Sequence, residues 1–443
     1  MTSTRFVTTV ATVLISIFIL TATLLAQALD TDRYWAQWRG PHHSGVSPTA
    51  NPPLEWGETK NVRWKVAIPG RGFASPVVWG DRLFVLTAVP MRIAGDAQHA
   101  PRGAVTPRGV HRFVVLALDR KTGKTIWERV AREQEPHEGS HVDNGSWASS
   151  SPITDGERVF AYFESFGLYA YDFHGKLLWE KDLGDKRMRN EFGEGSTPAL
   201  HGNTLVVVWD HLGGESFVVA LDKRDGKELW RVPRKEIDTW ATPLVVEVNG
   251  RAQVVVPAME RVRSYDLATG DLVWESDGLT MNTIPSPIFS DGLLYLMSGF
   301  RGNDLKVIRV ADARGNIDGT SAIVWTLDRD TPYVPSPVLV DGILYFLKSN
   351  SGILNAVDAK TGTPHYQNQR LDDVPNMFAS PVSAQGRIYF PGREGTTLVI
   401  KSGPTFEVLA KNALDDGFDA SPALVDNEIY LRGYKYLYAI AQQ

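Results

Sequence analysis

The chain has 443 residues, more than a single hydrophobic core usually serves, so it is either several domains or one repeated architecture. Its 46 Lys and Arg and 51 Asp and Glu are interspersed, giving a formal charge of -5 and no basic stripe, which argues against nucleic acid as a partner. It has no cysteine, which excludes a disulfide framework, cysteine-ligated zinc, thiol catalysis and lipidation of an N-terminal cysteine.

In chain order, residues 1–28 come first: one positive charge at Arg5, an apolar run from Val10 to Leu25, then Ala26-Gln27-Ala28. This reads as a secretory signal cleaved after Ala28 or, uncleaved, as an N-terminal anchor that would be the chain's membrane contact. Either way the remainder is expected outside the cytoplasm, periplasmic or secreted. Residues 29–61 form an N-terminal extension containing WAQWRGPHHSGVSP, and VRWKV at 62–66 alternates as a strand does.

From Ser75 onward one pattern recurs. A Ser-Pro or Thr-Pro is followed by an apolar pair, a Gly or Asn turn and a second apolar run, as in SPVVWGDRLFV and SPIFSDGLLYL. The prolines fall at 76, 152, 198, 243, 287, 337, 381 and 422. Between them runs a second pattern, LALDRKTGKTIW ending at Trp127, with counterparts ending at Trp179, Trp230 and Trp274 and weaker forms at Trp325 and Tyr366. The two together make a unit of four short strands, A to D, and four strands per repeat of about 45 residues is the signature of a propeller blade. The last unit has strands A, B and C but ends before D, and VRWKV supplies a D strand at the other end of the chain. The expected fold is therefore all-β: an eight-bladed propeller over 62–443, closed by its N-terminal strand so that no sheet edge stays open.

The long first interval holds two insertions, 89–112 and the stretch around HEGSH at 137–141. HEGSH spells the H-E-x-x-H of a zinc protease, which places two histidines on one helical face. Pro136 before it, Gly139 inside it and the absence of an apolar face predict a loop instead. In an up-and-down blade the D-to-A and B-to-C connections share one face, so both insertions rise over the same mouth of the central channel. The residues just before each Ser-Pro line that mouth, and the candidates for ligand binding are Arg71, Phe73, Trp147, Glu194, Trp240, Tyr333, Phe378 and Phe418. They describe an aromatic, acid-edged pocket with Arg71 as its one cation, suited to a planar or peptide-like ligand, a protein segment or a glycan. Packing of these rings against one another at the channel end is the alternative.

The motif A-x-D-x-x-T-G-K-x-x-W in LALDRKTGKTIW resembles the blade-docking motif of the pyrroloquinoline quinone (PQQ) type propellers, and six of the eight units carry a version of it. The resemblance implies that Trp127, Trp179, Trp230 and Trp274 pack between blades. It leaves two functions open. One is a non-catalytic binding scaffold similar to the BamB-type propellers, favoured by seven lean blades and the absence of a catalytic constellation. The other is a quinoprotein alcohol or sugar dehydrogenase, which would use PQQ and calcium with Trp147 or Trp240 beneath the quinone and Asp238, Glu194 or Asp419 as acids. Family dehydrogenases often carry an adjacent cysteine pair under the cofactor, and this chain has none.

Overall fold

The computed structural model describes residues 31–91, 109–141, 143 and 145–442; residues 1–28, expected to be a signal or anchor, and the middle of the first insertion, 92–108, lie outside these residues. Eight antiparallel sheets are arranged as a β-propeller. Blade 1 runs Val77–Trp79, Arg82–Pro90, His111–Asp119 and Thr125–Gln134 from the channel outward, and blades 2 to 7 repeat that order. Blade 8 consists of Ala423–Val425, Glu428–Arg432 and Tyr436–Ala441, completed by Val62–Ala67 as its outer strand. Trp64 sits opposite Ala439 and Val66 opposite Leu437, so the ring closes by sheet pairing. Blade 4 gains a short fifth strand, Gly315–Asn316, parallel to Leu272–Asp277.

Burial follows from the stacking of blades. A B strand such as Leu293–Ser298 is covered on both faces by neighbouring blades and is buried throughout, hence its continuous apolar run. The outer strand Val62–Ala67 alternates between half-buried and exposed positions, hence its alternating sequence. The apolar core lies between blades, as where Phe84 and Phe113 of blade 1 meet Val159 and Tyr171 of blade 2.

The docking motif has a physical reading at each position. The Asp ending strand C caps the following turn: Asp119 Oδ1 accepts the N–H and hydroxyl of Thr122, and Asp358 does the same for Thr361. The Gly takes positive φ, as at Gly226 (71°), and a Cβ there would stand 2.8 Å from the Trp179 ring of the preceding blade. Each indole N–H then donates to the carbonyl just after the next blade's Asp: Trp127 to Phe173, Trp179 to Lys223, Trp230 to Leu267, Trp325 to Ala359 and, across the seam, Trp64 to Arg120. Trp274 differs. Blade 5 lacks the Thr-Gly turn, and this fully buried indole donates to Gln253 within its own blade.

The hydroxyl before each proline also has a structural role. The backbone N–H of Ser75 donates to Ser151 Oγ, that of Ser151 to Thr197, and that of Thr197 to Thr242; the chain resumes from Ser286 to Ser336, Ser380 and Ser421. These six links run round most of the channel, each handing a hydroxyl to the blade before, with breaks between blades 4 and 5 and between blades 8 and 1. At Ser286 the extension intervenes, with Trp38 Nε1 donating to Ser286 Oγ at 2.9 Å. Arg39, 1% exposed, donates to the carbonyls of Pro381 and Pro337, and Trp35, Ala36 and Ser47 bond to strands of blades 1, 2 and 7. Residues 35–47 thus cross the channel from beneath.

Candidate functional site

The opposite face carries the loops between blades. HEGSH is not helical there. His137 Nε2 lies 2.5 Å from the carbonyl of Lys186, Glu138 accepts the N–H of Met188, and His141 packs edge-on against Phe192. The loop is a strap over the junction of blades 2 and 3, and its histidines do not share a helical face.

Beside this strap opens a cleft of about 370 Å³. Its walls come from successive inter-blade connections: Phe192 and Glu194, Trp240, Tyr333 and Phe378, with Phe300 from the B-to-C turn of blade 5. Each ring is fixed. Trp240 Nε1 donates to the Gly193 carbonyl at 2.8 Å, Tyr333 stacks on Phe300 at 4.7 Å and accepts from Asn282, and the Arg393 guanidinium lies 4.2 Å over Phe378. Of the sequence candidates, Glu194, Trp240, Tyr333 and Phe378 therefore meet in one cleft. Arg71 and Phe73 stand beside it in a second, larger cleft at the seam of blades 8 and 1.

Two candidates lie elsewhere. Phe418 is 0% exposed and packs edge-on against Tyr438 in the core. Its loop is drawn inward because the buried Asp416 carboxylate accepts the N–H groups of Gly417, Lys435 and Tyr436. Trp147 is half-buried beneath the strap, donating to the Glu138 carbonyl with the His111 ring at 4.5 Å, and faces a small enclosed space instead of the open cleft. The expectation of a single cation also fails: Arg189, Arg393, Arg432 and Lys435 join Arg71 on this face. Three of these, Arg393, Arg432 and Lys435, come from the B-strand ends and B-to-C turns of blades 7 and 8, positions that the repeat does not mark.

The acids of the mouth are engaged by cations. Asp238, fully buried, is held by Arg189 at 2.9 Å; burial raises its carboxyl pKa, with Arg189 restraining the rise. Asp419 pairs with Arg393 at 2.8 Å and is likewise pushed up by burial. Glu194 shares Lys186 with Glu164, at 3.9 and 2.5 Å, and Ser165 N–H donates to it. Burial and the Glu164 charge push the Glu194 carboxyl well above the usual range against the pull of Lys186. Two carboxylates on one buried ammonium favour one retained proton.

The folded chain thus holds the Glu194 proton to higher pH than the unfolded chain does. Stability is therefore lost as pH rises from the ordinary carboxylate range to the raised value. Glu194→Gln, which mimics the protonated acid, is expected to remove up to about 1.4 kcal/mol of that loss per pH unit. Urea unfolding should show the variant matching the parent near pH 4 and exceeding it at pH 8; parallel pH profiles would refute the shared proton.

For calcium the donor set does not fit: among the described residues no group of three or more His, Asp or Glu converges, and Asp238 and Asp419 are each taken by an arginine.

The model for outer membrane protein assembly factor BamB matches residues 54–209, 168–317 and 214–443. Proteins of that name from Francisella salina and Kangiella koreensis are 31% and 26% identical over 23% and 30% of this chain, the matches spanning 18% and 32% of those proteins' lengths. BamB from Moraxella catarrhalis superposes with a TM-score of 0.54 at 15% identity, covering 80% of this chain and all of that one. A europium-containing methanol dehydrogenase superposes at 0.62 and 11% identity, covering 91% and 90% of the two chains; the quinohemoprotein alcohol dehydrogenase of Comamonas testosteroni superposes at 0.63 and 11%, covering 92% and 80%. At such identities these superpositions speak for the fold alone. With its family model matched from residue 54 to 443, the chain belongs to the BamB family of PQQ-type β-propellers.

Proposed function

We propose that this protein is an extracytoplasmic, non-catalytic scaffold that holds an extended segment of a protein partner in the mouth of its channel. The observation that carries this reading is the aromatic cleft: rings from four of the inter-blade connections, held by a hydrogen bond, a ring contact or a guanidinium, around an open volume on a rigid ring. Rigid aromatic walls lose little side-chain entropy on binding and present the area on which polypeptide recognition concentrates. The relatives' name, outer membrane protein assembly factor, supports a protein partner of that kind and a site outside the cytoplasm. A quinoprotein dehydrogenase fits the fold, but Glu194, Asp238 and Asp419 stand in ion pairs and, among the described residues, offer neither a free base nor a calcium cage.

The test is a binding titration with a fluorescein-labelled, urea-unfolded outer membrane protein diluted into buffer. The triple variant Trp240→Ala, Tyr333→Ala, Phe378→Ala is expected to weaken binding at least tenfold while near-parent circular dichroism persists. Unchanged affinity in a folded variant would refute the mouth as the binding site.

A further inference from the structure

The second cleft, about 610 Å³ at the seam, has a different chemistry from the aromatic one. It is lined by Arg71, Arg393, Arg432 and Lys435, with Phe73 and Tyr434 packed edge-on between them at 6.2 Å. On a chain of formal charge -5 this is a local reversal of sign.

The surrounding acids do not neutralise it evenly. Asp419 is committed to Arg393, Asp415 to Lys435, and Asp416 is buried among backbone N–H groups. Asp143 lies exposed on the rim, its carbonyl accepting from Arg393. Arg432 is the exception. It is 3% exposed, is paired with no carboxylate among the described residues, and donates to the Leu86 carbonyl at 2.6 Å. Burial alone pulls its pKa down to about 9. Room for its guanidinium depends on Gly72, where a Cβ would stand 2.7 Å from Arg432 Nη2. A buried cation without a counter-charge, given space by a glycine and bordering an open cleft, is the arrangement that an incoming anion completes.

We propose that the seam cleft binds a carboxylate side chain of an acidic polypeptide segment, with Arg432 and Arg71 as the recognising cations. This extends the reading of the mouth as a polypeptide site. Arg393 borders the cleft while its guanidinium covers Phe378 of the aromatic cleft, so one extended segment spans both, an apolar residue in one and an acidic residue in the other.

The experiment titrates fluorescein-labelled hexaglutamate and hexaglutamine into the full chain and follows anisotropy at low and high salt. Hexaglutamate should bind at least tenfold tighter than hexaglutamine and weaken as salt rises. Arg432→Met should abolish the preference. Arg71→Glu, on the exposed rim, should reduce it at least fivefold and covers the case that the buried substitution fails to fold. The Trp240, Tyr333, Phe378 triple variant should keep the preference, so the two readings fail separately: binding lost only in the aromatic variant counts against this cleft, and binding lost only in the arginine variants supports it. Equal affinity for the two peptides, or no hexaglutamate binding at millimolar concentration, would overturn the proposal. So would displacement of hexaglutamate by polygalacturonate at a far lower carboxylate concentration, which would assign the cleft to an acidic glycan.

Discussion

A chain that starts at residue 69, lacking Val62–Ala67 and the extension before it, is expected to lose its monomer peak in size-exclusion chromatography with light scattering and to elute as aggregate. The cause is an exposed edge. Tyr436–Ala441 pairs on one side with Glu428–Arg432 and on the other with the N-terminal strand; without that strand its unpaired N–H and C=O groups become a template for other chains. The seam also loses Trp64 on Gly123 and its bond to Arg120, the ion pair of Arg63 with Glu428, and part of the apolar cluster shared by blades 7, 8 and 1. The control restores the strand at the other end. Ala441 N–H donates to the Asn61 carbonyl, so residues 61–68 appended after residue 442 through a short Gly-containing turn can rebuild the pairing, and monomer should return. A truncated chain that stayed monomeric with an unaltered thermal midpoint would show that the closing strand is dispensable.

The second large effect is expected at Asp210. Its carboxylate takes Arg234 bidentately at 2.9 and 3.1 Å with both side chains fully buried, and Arg234 also donates to Tyr265 of the next blade. Asp210→Ala leaves a guanidinium in the core beside Glu236, 4.0 Å away, which is itself held by Arg263. Breaking a buried pair from one side costs about 3–5 kcal/mol. Urea unfolding should read that loss. Asp210→Leu with Arg234→Met, which removes both charges, should recover most of it, because desolvation of the two ions is removed together with their attraction. A single substitution costing less than about 1 kcal/mol would mean that Glu236 already carries the pairing.

How much of this was legible in the sequence depends on whether a residue's role repeats. The Ser-Pro units and the Asp–Gly–Trp spacing repeat because each solves one local problem, a turn capped by Asp and an indole seated on the next blade's Gly, so the propeller and its closing strand could be read from them. The mouth could be read only where its loops obey the same rule. Trp240, Tyr333 and Phe378 precede their Ser or Thr by two or three positions and meet in the cleft. Phe418 has the same spacing but is buried, because Asp416 two residues earlier ties its loop to the turn at Lys435, a contact between segments that spacing does not encode. Arg432 escaped notice for a related reason: nothing local marks an arginine at a strand end as buried, and the glycine that admits it lies in another blade's loop.

The extension crossing beneath the channel, with Trp38 on Ser286 and Arg39 on the carbonyls of Pro337 and Pro381, makes the propeller a cup instead of a pipe. A ligand in the mouth would then enter and leave by the same rim. On the proposed reading, the lifetime of a bound segment would be set at that rim, by the strap around HEGSH and the seam arginines, and a partner docking over it would govern capture and release with one contact.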